Sequence, residues 1–554
     1  MGDPSLAVER VIGTALLRLT GVFVLGVAAT AVLAPRQPAF PYARARVLVC
    51  LVLAAGLLAL ALHVARRLGG RVSGSVAWTA GVVTALVGGA GCTVLALALR
   101  YDVGWDARMV ATISNQIAHG QGLDANQYVY LSRYPNNLPL VAIDNLCQDI
   151  GSATHLAPAV VFVLLNGLAL AVTLLGTHWL VSMLRGPVYG VMAQLLVLGL
   201  VGLSPWMTVP YTDVVVLPFV VLAPALVIAG TRTTSRPRQA LFAVLTVACL
   251  LLGYIIKTTP VVSLVAIVLI AALVWISAGT GNRILIAAGV IAGLVLFLNG
   301  SVAVKEAAPR LAGVSAERLD RSLTPPTVWW IYMGTVERVM DGRIAYGGYD
   351  RQIVEATAGM NAEEAKRWAQ TQLDEHLADL GPLGYARFLA DKAAWNWGDG
   401  MFWAWSEGYD ATQPGLAHGS LADFVNTWNR PDGGAYTWRA AAAQAVWLLL
   451  LLVTGIRLLR ARWRWEIGLL TLCVLGIAAF TLIFQGRSRY LLAYVPIIVA
   501  LAVSLPPVLA SWRDLSRLLR RHDDPQGRGD VDHGVSELDL VGTSRDDARA
   551  PGIG

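Results

Sequence analysis

Apolar stretches long enough to cross a bilayer recur along the whole chain. They fall at roughly 9–33, 46–65, 76–99, 156–183, 188–207, 213–231, 239–256, 260–278, 284–302, 440–458, 466–484 and 491–510. An α-helix needs about 20 such residues to span a hydrocarbon core of about 30 Å. The pattern predicts an all-α polytopic membrane protein with about twelve transmembrane helices. The first stretch is long and no small-residue cleavage site follows it, so it reads as a retained span and not a removed signal peptide.

The polar positions between these stretches sort into two sets. Arg66, Arg67, Arg71, Arg185, Arg232, Arg236, Arg238, Arg283, Arg457, Arg460, Arg462 and Arg464 fall in alternate loops, and Arg513, Arg517, Arg520 and Arg521 follow the last span. Twelve spans with both termini in the cytoplasm put all of them inside, as the positive-inside bias requires. The segments 34–45, 100–155, 208–212, 257–259, 303–439 and 485–490 are then extracytoplasmic. The expected organisation is an N-terminal two-helix addition (1–70), a transmembrane core (71–302) with its first outer loop at 100–155, a small helical Trp-rich insert (303–439), C-terminal spans (440–512) and a disordered cytoplasmic tail (522–554). In the insert, Asn361 followed by Glu364 predicts a capping box, and Gly381-Pro382 predicts the end of that helix, with a second helix over 383–396. Its tryptophans have two expected uses: anchoring at the headgroup level, or covering a lipid tail or sugar ring.

Composition agrees: 56% of residues are hydrophobic and 14% charged, and the mean hydropathy is +0.58. The net charge of +7 is a topology signal and not a nucleic-acid footprint, because basic residues sit in short loops without one basic face. Five cysteines without a CxxC pair support neither a disulfide framework nor a zinc site. No metal ligand set is expected. A divalent cation, magnesium or manganese, stays open because hard cations choose carboxylate oxygen.

Candidate chemistry gathers in the outer segments. Asp102 and Asp106 are four apart past a membrane exit and share a face if the helix continues; a carboxylate there suits a general base. Arg133-Tyr134-Pro135-Asn136-Asn137 is a turn with two adjacent amides that can bind hydroxyls. Asp213, in Pro210-Tyr211-Thr212-Asp213, opens a span where a carboxylate is costly unless used or paired, and helix capping is its plainer role. Lys257 is one of only four lysines and is placed to meet an anionic headgroup. Arg487 and Arg489 oppose the charge bias in a very short outer loop, and Tyr490 follows them; guanidinium forks match phosphate oxygens. Carboxylates and cations on one side suit a hydroxyl nucleophile and an anionic leaving group.

These residues resemble the GT-C superfamily of membrane glycosyltransferases, nearest to the branch of protein O-mannosyltransferases and aminoarabinose transferases. The likeness lies in the acidic motif of the first large outer loop, the Arg487-Ser488-Arg489-Tyr490 motif before a late helix, and the later insert, and it spans roughly 75–510. Tyr134-Pro135-Asn136-Asn137 and Pro210-Tyr211-Thr212-Asp213 are also similar to segments of bacterial members. The resemblance implies transfer of a sugar from a polyprenyl-phosphate donor to an extracytoplasmic glycan, lipoglycan or protein acceptor, with Asp106 first and Asp102 second as base. Lys257, Arg487 and Arg489 would then meet the lipid phosphate. The Ala-, Val-, Gly- and Arg-rich usage points to a GC-rich bacterium, which makes mannose the first donor to expect. A transporter or flippase of lipid-linked sugars is the alternative, but it should carry ionisable groups at helix midpoints and matched interrupted helices in two halves.

Overall fold

The computed structural model describes residues 4–36, 40–340, 343–405, 409 and 415–505. The expected tail at 522–554 lies outside the described residues. Helices occupy the apolar stretches because a backbone in hydrocarbon must satisfy its polar groups within its own segment. They begin with α1 (Pro4–Leu33), α2 (Arg44–Gly69) and α3 (Gly74–Leu99). Three shorter helices follow, α4 (Trp105–Ala118), α5 (Ala125–Arg133) and α6 (Leu138–Thr154). The chain re-enters the bundle as α7 (Pro158–Arg185), α8 (Pro187–Val197), α9 (Thr212–Val215), α10 (Leu217–Arg232), α11 (Arg236–Ile256), α12 (Val261–Ser277) and α13 (Thr280–Leu311). The insert holds α14 (Thr327–Met333), a hairpin of β1 (Glu337–Met340) and β2 (Arg343–Tyr346), α15 (Arg351–Ala356), α16 (Ala362–Trp397) and α17 (Ser420–Asn429). The bundle closes with α18 (Tyr436–Arg460), α19 (Trp465–Ile483), α20 (Arg489–Leu492) and α21 (Val495–Ser504).

Among the described residues, nine helices are long and apolar enough to cross a membrane, and three shorter apolar helices, Pro187–Gly202, Val261–Ser277 and Val495–Ser504, join them. Each of the twelve apolar stretches therefore holds a helix among the described residues. Successive passes reverse direction, so their turns collect at two ends. At the arginine-rich end, Arg185 and Arg457 donate to the last carbonyls of α21, those of Leu505 at 3.2 and 3.3 Å. They satisfy acceptors that a helix C-terminus leaves open. At the opposite end α4–α6 and the insert cap the bundle.

Several expectations change. Residues 100–155 are mostly helical, and α3 ends before Asp102, so Asp102 and Asp106 do not share a helix face. The span expected at 284–302 runs on to Leu311. Within the N-terminal two-helix segment, Leu17, Val24 and Ala28 of α1 are buried in the main core, where α1 packs on α12, α18 and α19. The capping box at Asn361 is present, with both Glu363 and Glu364 amides donating to its side chain. The helix breaks at Gly381, whose φ of 61° is left-handed and suits glycine. The tryptophans of the insert divide between packing and surface. Trp329, Trp395, Trp397, Trp403 and Trp405 are buried in packing, while Trp428 and Trp438 stay exposed.

Asp144 of α6 is buried, and among the described residues its Oδ2 has no hydrogen-bond partner. Burial pushes this carboxyl up from its ordinary 3.8 to about 6, against a partial pull back by Ser114. The folded state therefore holds the proton more tightly than the unfolded chain. The stability this brings is complete below about pH 4 and is lost as the pH rises through 6. Asp144→Asn is expected to raise the thermal midpoint at pH 7.5, by about 2–3 kcal/mol of stability, and to change it little at pH 4. An equal shift at both pH values would refute this account.

Candidate functional site

The site is built around one carboxylate. Asp106 lies in the first turn of α4, where the helix dipole favours negative charge. The Tyr130 hydroxyl, from α5, donates to Oδ1 at 2.8 Å, and the Tyr211 hydroxyl donates to Oδ2 at 3.2 Å. Asn137 in turn donates from Nδ2 to the Tyr130 oxygen at 2.6 Å, and Asn136 donates to Oδ1 of Asn137 at 3.2 Å. Burial and the neighbouring Asp106 charge push the Tyr130 phenol well above its usual range, so it stays a donor. The carboxylate is thus aimed by three segments, and each oxygen keeps a lone pair for a further proton. Asp102 is elsewhere in character. It is more than half exposed and paired with Arg108 at 2.7 Å.

The cations arrive from the turn between α19 and α20. Arg487 lies over the rings of Trp403 at 5.2 Å and Tyr349 at 6.0 Å. Arg489 lies over Tyr211 at 5.4 Å and Tyr490 at 5.5 Å. Tyr211 therefore touches both the base and a guanidinium. Tyr349 sits within the fields of both charges: burial raises its pKa, Asp106 raises it further, and Arg487 draws it back. Tyr134 packs between Tyr130 and Trp330, at 5.5 and 6.3 Å.

Two buried residues that the sequence reading passed over hold this turn in place. Lys392 of α16 is fully buried and donates to the carbonyls of Gly334, Leu482 and Phe484 at 2.7, 2.9 and 2.8 Å. Its ammonium thus spends three donors on three acceptors and staples the insert to the end of α19. Burial pushes its pKa down to about 7. The approach is close enough that a Cβ on Gly334 would sit 2.7 Å from the Ile483 carbonyl. Backbone bonds from Gln485 to Trp330 at 3.0 Å and from Gly486 to Gly347 at 2.9 Å extend the seam. Asp399, also buried, accepts from Ser488 Oγ at 2.6 Å and from the Met401 and Trp403 amides at 2.9 Å. It stabilises two successive left-handed residues, Phe402 (φ 54°) and Trp403 (φ 60°), a conformation that non-glycine residues hold only when their surroundings enforce it. The result is a Trp403 ring under Arg487.

Removing the Lys392 ammonium leaves buried carbonyls unsatisfied, at about 1–3 kcal/mol each. Lys392→Met is therefore expected to lower the thermal midpoint and to increase protease cutting between α19 and α20. An unchanged cutting pattern would contradict the staple.

Other expected residues have structural partners. Arg133 donates to the Thr357 carbonyl at 3.0 Å and hydroxyl at 2.6 Å, and lies over Trp329; it clamps α5 to α15. Lys257 and the buried Asp213 form an ion pair, and the Lys257 ammonium lies 4.9 Å from the Tyr490 ring. Asp213 is therefore paired and does not cap its helix, whose N-cap is Tyr211. Among the described residues no three His, Cys, Asp or Glu side chains gather.

A family model described as a conserved hypothetical integral membrane protein matches residues 42–507. No curated protein and no solved structure matches the chain.

Proposed function

The chain belongs to this family of conserved hypothetical integral membrane proteins, and from that premise we propose that it is a membrane glycosyltransferase using a polyprenyl-phosphate sugar donor. The observation that carries the reading is the convergence, on one end of the bundle, of a carboxylate held by two phenols and a turn bearing two arginines. Asp106 takes the proton of an acceptor hydroxyl as its oxygen attacks the anomeric carbon. The bond from that carbon to the phosphate oxygen breaks, and the electron pair leaves with the lipid phosphate. Arg487 and Arg489 stabilise the charge that grows on the departing oxygens. Attack opposite the leaving group inverts the anomeric centre. Tyr130 and Tyr211 keep the base oriented, and the Lys257–Asp213 pair supports Tyr490 from behind.

We place this end outside the cytoplasm of a cell membrane, with both termini inside, because the arginine-rich turns at the other end follow the positive-inside bias. Acceptors are a cell-envelope glycan, a lipoglycan or a protein hydroxyl.

The test uses membranes containing the protein, supplied with radiolabelled polyprenyl-phosphate mannose, arabinose or galactose. Incorporation above control membranes from one donor, with matching release of polyprenyl phosphate, is expected. Incorporation no greater than in control membranes from every donor would overturn the reading.

A further inference from the structure

A cavity of about 430 Å³ is lined by Arg133 and Asn136 of the loop that borders the candidate site, but by none of Asp106, Arg487 and Arg489. Leu131, Pro139, Ile255, Val304 and Ala308 give it apolar walls. Arg133, Lys305 and Arg321 supply three positive charges, and among the described residues no Asp or Glu lines it. Thr258 adds a hydroxyl, while those of Ser301 and Thr324 already donate to the Leu298 and Ser132 carbonyls. The Lys305 ammonium is held 5.5 Å from the Tyr254 ring, so its charge stays at the cavity. Arg133 contributes charge more than donors, since its guanidinium serves Thr357.

We infer that this cavity between α5, α11 and α13 binds an anionic glycerophospholipid of the surrounding bilayer. Three cations without a lining carboxylate select a negative headgroup, and a phosphate accepts from both guanidinium and hydroxyl donors. The apolar walls select a ligand with hydrocarbon attached, which inorganic phosphate lacks. The neighbouring outward residues Leu252, Leu298 and Val302 are each more than half exposed. In a membrane they face acyl chains, so the helices that wall the cavity stand against bilayer lipid. Lys305 and Arg321 are themselves exposed, as fits residues at the headgroup level. This inference needs only that the chain spans a bilayer and does not rest on the transferase reading.

Purified full-length protein in phosphatidylcholine nanodiscs, labelled with a photoreactive acyl-chain phosphatidylglycerol, tests it. Crosslinks are expected in peptides covering 254–258 and 301–309, with the photoreactive phosphatidylcholine analogue labelling them several-fold less. The Lys305→Glu, Arg321→Glu double variant should lose at least about fivefold of that labelling, since each basic residue near a membrane surface contributes about that factor. Arg487→Ala should keep it. Both substituted positions are exposed, so folding is not at stake. Equal labelling by the two lipids, or labelling unchanged in the double variant, would overturn the site. Displacement by equimolar polyprenyl phosphate but not by unlabelled phosphatidylglycerol would assign it to an isoprenoid lipid, and loss of labelling to inorganic phosphate alone would assign it to a free anion; either defeats the proposal.

Discussion

Asp106→Asn is expected to lower sugar transfer by about two to four orders of magnitude, the range a positioned general base contributes. The substitution keeps the shape of the side chain and one acceptor for the phenols of Tyr130 and Tyr211. Membrane insertion and thermal midpoint should therefore change little. Asp102→Asn should leave transfer within about twofold, because an exposed ion pair such as Asp102–Arg108 is worth about 0–1 kcal/mol. Initial rates in membranes, normalised to the amount of inserted protein, check both. A large loss with Asp102→Asn and none with Asp106→Asn would exchange their roles.

The second large effect belongs to Arg487. Arg487→Ala removes a guanidinium from the face of Trp403 and Tyr349 and with it the proposed stabilisation of the leaving phosphate. A loss of about 100- to 1,000-fold in turnover is expected, as when one preorganised donor is deleted from an anion-stabilising site. Arg487→Lys should recover part of it, since lysine restores the charge but not the planar fork. Donor binding, measured separately, should weaken far less than turnover falls. Equal losses in both would mean that Arg487 acts in binding alone. Retained turnover in Arg487→Ala would remove it from the mechanism.

Much of the architecture was legible in the sequence because a lipid solvent leaves the backbone little choice. The apolar stretches became helices, and the capping box at Asn361 and the break at Gly381 followed from local chemistry. The site was legible in its parts. Asp106, Asn137, Tyr211, Arg487, Arg489 and Tyr490 meet at one end, as alternating passes require. What escaped was pairing at a distance. Lys257 and Asp213 lie 44 residues apart, and each was read as a separate charge. Arg133 finds a carbonyl 224 residues away, which no local pattern announces. Tyr130 carried no signal beyond its place in a polar helix. Lys392 did carry one: the scarcity of lysine that marked Lys257 applies to it equally. Burial of Trp329, Trp395, Trp397, Trp403 and Trp405 in packing was a use the sequence did not announce, because their ring area is buried by partners distant in the chain.

The most direct test of the account places purified protein in liposomes with a labelled polyprenyl-phosphate sugar on one side and an acceptor present. The account predicts cleavage of the sugar–phosphate bond, polyprenyl phosphate released in proportion to glycosylated acceptor, and loss of both with Asp106→Asn. Movement of the intact lipid-linked sugar across the bilayer, with no bond broken, would contradict it and make the protein a carrier of that lipid.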